Sequence, residues 1–269
     1  MDIENYYSSK SHEDRVIWEQ LREKEVVYSN GRPSVIRKSL YHEYPKRVRH
    51  YLSLFPNHFV DPIDLISSES YLDTVLTEFK DLMDSPDINE RSILNFIRTK
   101  EAYFIIGGIL KKYYYFGHHG TFIFPEFRMV PDYLADYLIV GKNSDGYHFV
   151  FVELEAPYGT ITLKDGSFGE TIRKGIRQID DWEMWQERNF SHLKLLFERY
   201  KNGAFTLPPE FTYFDKSRVY YVIVSGRRKN YSDVTYRLRR TYLDQRKLCI
   251  LHYDNLIDVA SEAIGTASH

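Results

Sequence analysis

Between residues 132 and 155 two strongly apolar runs flank a turn-rich stretch from Gly141 to Gly146. β-Branched and aromatic residues bounded by Gly, Asn, Ser and Asp predict a hairpin. With a six-residue loop, Val140 opposes Tyr147, Asp136 opposes Phe151, and Glu153 is the diagonal neighbour of Asp136. Side chains alternate along a strand, so Asp136, Glu153 and Glu155 share one face. Leu134, Leu138, Val140, Phe149 and Phe151 share it with them, and Val150, Val152 and Leu154 occupy the other. Strands apolar on both faces are central and covered.

Towards the N-terminus the pattern is more mixed. Residues 13–23 place Val16, Ile17 and Leu21 at helical spacing. Apolar runs on either side of Asn30-Gly31 predict a second hairpin, because Asn-Gly favours a two-residue turn; Pro33 counts against pairing at its own position. A helix over about 69–84 carries Leu72, Val75, Leu76, Phe79, Leu82 and Met83 on its apolar side. Asp84-Ser85-Pro86-Asp87 then breaks the chain. This places a boundary between an N-terminal α+β region, 1–86, and a second domain, 87–269. Asn89 is positioned to cap a helix with Ile93, Leu94, Phe96 and Ile97. The run from Tyr103 to Phe116 reads as helix or strand, with Gly107-Gly108 weighing against a helix.

TFIFPEFRM, before the central hairpin, is a strand. After the hairpin, a helix over 168–190 places Glu170, Lys174, Gln178 and Trp182 every four residues along one side. Leu193 to Tyr200 reads as a separate helical piece. VYYVIV is a buried strand; a basic helix, a strand CILHY and a helix NLIDVASEAI follow. Three sequential strands before a helical crossover predict a mixed sheet covered by helices, an α/β fold of three layers.

The chain has 269 residues and a net charge of −2. It has no global basic field, so nucleic-acid binding would need local patches. The richest runs from 227 to 240. There Arg227, Arg228, Lys229, Arg237, Arg239 and Arg240 stand against a single acid, Asp233, with Tyr231 and Tyr236 interleaved. It reads either as a phosphate-binding surface or as a solvated helix. Lys46, Arg47, Arg49 and His50, among Tyr44 and Tyr51, form a weaker patch that is more simply a solvated face. The single cysteine, Cys249, lies in the apolar run KLCILHY. It reads as a core thiol and suits a reducing cytoplasm. The opening MDIENYYSSKSHEDR has no apolar core of signal-peptide type, and no apolar run is long enough to span a bilayer. A cytoplasmic protein without a membrane span is the expectation. No Gly-rich phosphate loop, dinucleotide fingerprint or Ser-His-Asp arrangement stands out.

The acids of the hairpin carry the chemistry. Glu153 and Glu155, two apart on a strand, lie about 6.7 Å apart, and at a dielectric near 20 they repel by about 2.5 kcal/mol. A proton, a Lys or Arg, or a divalent cation relieves such a pair. The competing account is a solvated strand end. His118-His119 is a poor metal site, because adjacent side chains diverge and no Cys or third His is near.

Pro131-Asp132, Asp136 and Glu153-Leu154-Glu155 resemble the PD-(D/E)XK nuclease signature. Together with VELEAP, GETIRKGIRQIDDWEMWQERN, YYVIVSGRR and LCILHYDNLIDVA, they make residues 88 to 260 similar to the C-terminal nuclease domain of Shedu antiphage-defence proteins. The resemblance implies a restriction-endonuclease-like three-layer α/β/α core with a mixed sheet, and a helical reading of the run before the first strand. It implies Mg²⁺ or Mn²⁺ held by Asp136, Glu153 and the main-chain carbonyl of Leu154, with Glu126 as a further ligand. Gln178 is implied as an active-site or DNA-contacting residue, DNA as substrate, and a homo-oligomer as the assembly. Where the family has Lys, this chain has Glu155. A carboxylate supplies no positive charge, so Lys174, a second metal ion or another cation must do so. Glu155 itself would bind a second cation or take the proton of the attacking water. Two functions stand against each other: a metal-dependent DNA endonuclease, and a degenerate nuclease fold used for nucleic-acid binding or protein assembly.

Overall fold

The computed structural model describes residues 19–29, 32–38, 40, 43, 44, 48, 52–58, 69–129, 131 and 133–264. Strands β1 (Val26–Ser29) and β2 (Arg32–Arg37) pair antiparallel as a separate small sheet, as the Asn-Gly signal predicts. Residues 19–24 of the helix expected over 13–23 are helical; 13–18 lie outside the described residues, as do Lys46, Arg47, Arg49, His50 and Tyr51.

Three helices precede the main sheet: α1 (Glu69–Met83), α2 (Glu90–Thr99) and α3 (Phe104–Tyr113). The Asn89 side chain caps α2, its Oδ1 accepting from the Ser92 N–H at 3.0 Å. The ambiguous run is helical despite Gly107-Gly108, because a close helix crossing requires glycine there. A Cβ on Gly108 would lie 2.9 Å from Val259 Cγ2, on the last helix of the chain.

The main sheet has five strands in the order of the chain: β3 (Gly120–Met129), β4 (Tyr133–Asn143), β5 (Gly146–Leu154), β6 (Val219–Val224) and β7 (Leu248–Leu251). β3, β4 and β5 run antiparallel, whereas β5, β6 and β7 run parallel. The parallel crossovers are helices α4 (Glu170–Tyr200) and α5 (Asp233–Arg246), and α6 (Tyr253–Ala263) follows β7. On one face Ile139, Val150, Val152, Val222 and Val224 pack with α1, α2, α3 and α6. On the other, Leu138, Val140, Phe149, Phe151, Tyr221 and Ile223 pack with α4. The result is a three-layer α/β/α arrangement with β5 at its centre. Leu54 and Phe55 also enter the α4-side core, and α1 lies within the opposite one. Among the described residues, no helix is long and apolar enough to cross a membrane.

Two local expectations change. The helix expected over 168–190 and the separate piece over 193–200 are one continuous helix of 31 residues. Its buried stripe passes from Ile172, Ile179 and Trp182 to Phe190, Leu193 and Phe197 without a break. The hairpin turn is also shorter than six residues. Asn143 pairs with Gly146, leaving only Ser144 and Asp145 between them, and Gly146 takes the positive φ (116°) that the turn demands. Val140 therefore opposes Phe149 rather than Tyr147, and Asp136 stands level with Glu153 rather than Phe151. The shift is two residues, and an even shift leaves the side chains from Tyr137 onwards on their own faces.

Candidate active site

The C-terminal end of β5 is gripped from both sides. Towards β6, the Glu155 N–H donates to the Val224 carbonyl at 2.8 Å, and the Gly226 N–H to the Ala156 carbonyl at 3.1 Å. Towards β4, regular pairing stops at Tyr137–Val152. Alternate N–H groups point to the same neighbour, so the Leu154 N–H is aimed at β4. It finds the Asp136 carboxylate, which accepts from it at 2.7 Å. A side chain thus replaces the main-chain partner, and the ladder opens at this point.

The cause lies one strand further out. Phe124 and Phe127 enter the same core although they are three residues apart, and Ala135 and Leu138 do likewise. Strict alternation therefore breaks in both β3 and β4, at Glu126 and Asp136. Glu126 takes a positive φ of 46°, strained for a residue with a side chain. The irregularity swings Asp136 towards the edge of β5. Asp136 and Glu126 thus stand at the same level of neighbouring strands.

Three acids converge here, almost removed from water: Asp136 is 8%, Glu153 4% and Glu155 2% exposed. All three carboxyls are held above their ordinary range. For Asp136, burial raises it, the Leu154 N–H pulls the other way, and the charges of Glu90 and Glu155 add to the rise. For Glu153, burial comes first and the charges of Asp136, Glu155 and Glu90 follow. For Glu155, burial is opposed by the hydrogen bond and charge of Lys174. Glu153 Oε2 and Glu155 Oε1 are buried with no hydrogen-bond partner. An unpaired buried carboxylate oxygen is costly.

Lys174, in the first turns of α4, donates to Glu155 Oε2 at 2.9 Å. Its reach depends on Gly175, where α4 presses on β6; a Cβ there would meet Ile223 side-chain atoms at 3.1–3.2 Å. Burial lowers the Lys174 pKa, but the Glu155 hydrogen bond and the charges of Glu155, Glu90 and Glu153 outweigh it, and the ammonium is held above its usual value. The structure thus brings a lysine to the Glu155 carboxylate. Gln178 lies one turn further along α4, half-buried, and makes no hydrogen bond to the acids.

Two participants were not apparent in the sequence. Glu90, in the first turn of α2, lies 4.0 Å from Lys174 Nζ and adds a fourth carboxylate to the group. Tyr253, fully buried at the start of α6, donates its hydroxyl to the Glu155 carbonyl at 2.8 Å and fixes the strand end. An acid in a first helical turn is ordinary N-terminal charge, so Glu90 gave no signal. Tyr253 lay within the late segment that carries the resemblance.

The basic segment divides. Arg227 is an internal staple: it bonds Asp254 (3.0 Å), Asp84 (2.8 Å) and the Met83 carbonyl (2.5 Å), tying α1 to α6. Arg228 pairs with Asp258. Arg239 lies over the rings of Tyr231 and Tyr236, at 5.7 and 5.3 Å. Lys229, Arg237 and Arg240 are exposed. The His118 and His119 rings meet at a tilt, their centres 4.3 Å apart, and His119 Nε2 is 3.3 Å from Ser144 Oγ.

Among the described residues, no three His, Cys, Asp or Glu side chains are arranged to share one metal ion. A cation at the β5 end would rest on two carboxylates, main-chain carbonyl and water, which is how Mg²⁺ is commonly held. The orphaned oxygens of Glu153 and Glu155 suit such a hard cation.

A mixed sheet sandwiched by helices, with buried carboxylates and a lysine gathered where its central strand ends, defines a three-layer α/β protein with a polyacidic site. The family model described as Shedu protein SduA, C-terminal, matches residues 87–257. The chain belongs to this family, and membership suggests antiphage defence as its setting. No curated protein matches the chain.

Proposed function

We propose that the chain is a metal-dependent DNA endonuclease acting in antiphage defence. The observation that carries this reading is the pair of buried, unpartnered oxygens on Glu153 and Glu155, beside Asp136 at the end of β5. No hydrogen bond satisfies these two oxygens, Lys174 reaching only the other oxygen of Glu155, and a divalent cation would. Asp136, Glu153 and the Leu154 carbonyl would hold Mg²⁺ or Mn²⁺; Glu126, the further ligand expected from the sequence, does not join these two carboxylates in one three-acid site. The bound ion would supply Lewis acidity towards a phosphate oxygen and an acidified water. Lys174 would provide the positive charge that position 155 lacks, and Glu155 would orient that ammonium. Gln178, next along α4, faces DNA in this reading.

A second reading, a degenerate nuclease fold used as a binding or assembly module, is favoured by one observation. Asp136 spends an oxygen on the Leu154 N–H, which leaves it less free to ligate. Incubation with linear and circular DNA separates the two. The endonuclease reading expects cleavage with Mg²⁺ or Mn²⁺ and none with EDTA. Inertness towards both DNA forms with every divalent metal supports the module.

The DNA surface would be α5. Replacing Arg237, Arg239 and Arg240 together with Ala should flatten the salt dependence of DNA binding. Each lost phosphate contact removes about 0.9 from the slope of log K against log salt, so the triple variant should lose up to about 2.7. An unchanged slope would assign these arginines to solubility. Arg227 is left out because its loss would unfasten α1 from α6.

A further inference from the structure

A cavity of about 450 Å³ opens at the end of the hairpin remote from the acids, lined by residues from three separate stretches of chain. Its floor comes from the start of β3, the end of β4 and the start of β5; Leu52, Ser53 and Leu54 close one side, and Phe205, Thr206 and Pro208 another. From Asp136 to Lys142 along β4 is six residues, about 20 Å, so this is not the acidic site.

We propose that this cavity binds a nucleotide, the base against Phe205 and the phosphate on Lys142. Among the described residues the cavity is lined by no acid, and its one permanent cation is Lys142. Among the described residues Lys142 has no carboxylate partner. The nearest acid in sequence, Asp145, goes instead to Arg218, at 3.4 Å. Lys142 Nζ is held 5.1 Å from the centre of the Tyr147 ring, a placement that keeps the charge available while packing its stem. Phe205, 37% exposed, supplies the aromatic surface, while Tyr147, buried and braced edge-on by Phe211 at 4.9 Å, fixes the Lys142 stem. Base–aromatic stacking tolerates any base, because every base has a π-face. His119 and the Thr206 hydroxyl add polar contacts at the lining. The absence of acids argues against a metal ion, and the uncompensated ammonium argues against a purely apolar ligand. Inorganic phosphate alone would leave most of the volume unfilled, whereas the volume lies within the range of small-molecule sites.

The inference is independent of the endonuclease reading. Its test is calorimetric titration of the full chain with a 5′-mononucleotide, the matching nucleoside, inorganic phosphate and a single-stranded oligonucleotide. Saturable mononucleotide binding is expected, at least about tenfold tighter than nucleoside or phosphate, because a charge-assisted bond and stacking act together. Lys142→Met keeps the stem on Tyr147 and should weaken binding about tenfold or more. Phe205→Ala removes one wall and should weaken it less. Glu153→Gln should leave it unchanged. Oligonucleotide binding that depends on Lys142, with no mononucleotide binding, would assign the cavity to a nucleotide within a strand. Failure of both to bind, binding indifferent to Lys142→Met and Phe205→Ala, or binding lost with Glu153→Gln overturns the proposal. The melting temperature of each variant without ligand shows that it is folded.

Discussion

Glu153→Gln is expected to abolish DNA cleavage while raising the melting temperature of the metal-free protein. Both effects have the same origin. Glu153 is buried beside Asp136 and Glu155, and one of its oxygens has no partner. In the working enzyme its charge would hold the cation. Losing a metal contact worth several kcal/mol at the transition state means at least about a thousandfold in rate. Without metal the same charge is a burden: burial disfavours it first, and the neighbouring acids add to that. Gln keeps the shape and removes the charge. The gain should be about 1–2 kcal/mol, since a buried amide still lacks partners, or roughly 2–8 °C.

The pH dependence gives this prediction its sign. The folded carboxyls of Asp136, Glu153 and Glu155 are all held above their unfolded values. Below about pH 4 both folded and unfolded chains keep these protons, and the groups cost nothing. Above that the unfolded chain releases protons that the folded chain retains, so stability falls as pH rises towards the folded values. The metal-free parent should therefore melt higher at pH 5 than at pH 8, and Glu153→Gln should flatten that slope. Mg²⁺ should raise the parent's melting temperature most at pH 8, where ionised ligands are needed, and should not raise that of the variant. A parent whose melting temperature ignores Mg²⁺ and Mn²⁺ at every pH would decide for the binding module.

The site was partly legible because strand parity survives errors of register. Glu153 keeps the face of Phe149 and Phe151 even though the hairpin turn is four residues shorter than its composition suggests, whereas alternation breaks at Asp136 itself. Turn-forming residues misled because Gly141 is a strand residue. It is glycine since a Cβ would meet Phe116 at 2.7 Å and the Gly117 N at 3.1 Å, not because the chain turns there. The helix expected over 168–190 and the piece over 193–200 are continuous in α4, where the Asn189 side chain donates back to the Trp185 carbonyl at 3.1 Å without breaking the helix. The split between β4 and β5 was not legible. It depends on a side chain displacing a main-chain acceptor and on the positive φ of Glu126, and neither has a periodic signature. Arg227 shows the limit of composition. Its acidic partners, Asp84 and Asp254, are remote in sequence, so a structural staple sits within what otherwise reads as a phosphate-binding run.

The exchange of charge between positions 155 and 174 is the second large effect. Lys174→Met should leave Glu155 buried without its cation. Breaking a fully buried pair costs about 3–5 kcal/mol. The Lys174 side chain is 54% exposed, however, so screening reduces the cost to about 1–3 kcal/mol. Glu155→Lys alone sets an ammonium against Lys174, and Lys174→Glu alone adds a carboxylate to Glu90, Glu153 and Glu155. Each should destabilise the fold and stop cleavage. The double exchange, Glu155→Lys with Lys174→Glu, restores the ion pair with the lysine on the strand. Its stability should return to within about 1 kcal/mol of the parent, giving a coupling energy well above the 0.3–0.5 kcal/mol scatter of independent sites. If the chemistry needs a positive charge in this space, whichever element supplies it, cleavage should return with stability. Cleavage that stays lost while the melting temperature recovers would make Lys174 a counter-ion of the fold and leave the transition-state charge to a second metal ion. Cleavage gained by Glu155→Lys in a parent that has none would identify this chain as a member whose active site was silenced by that one residue.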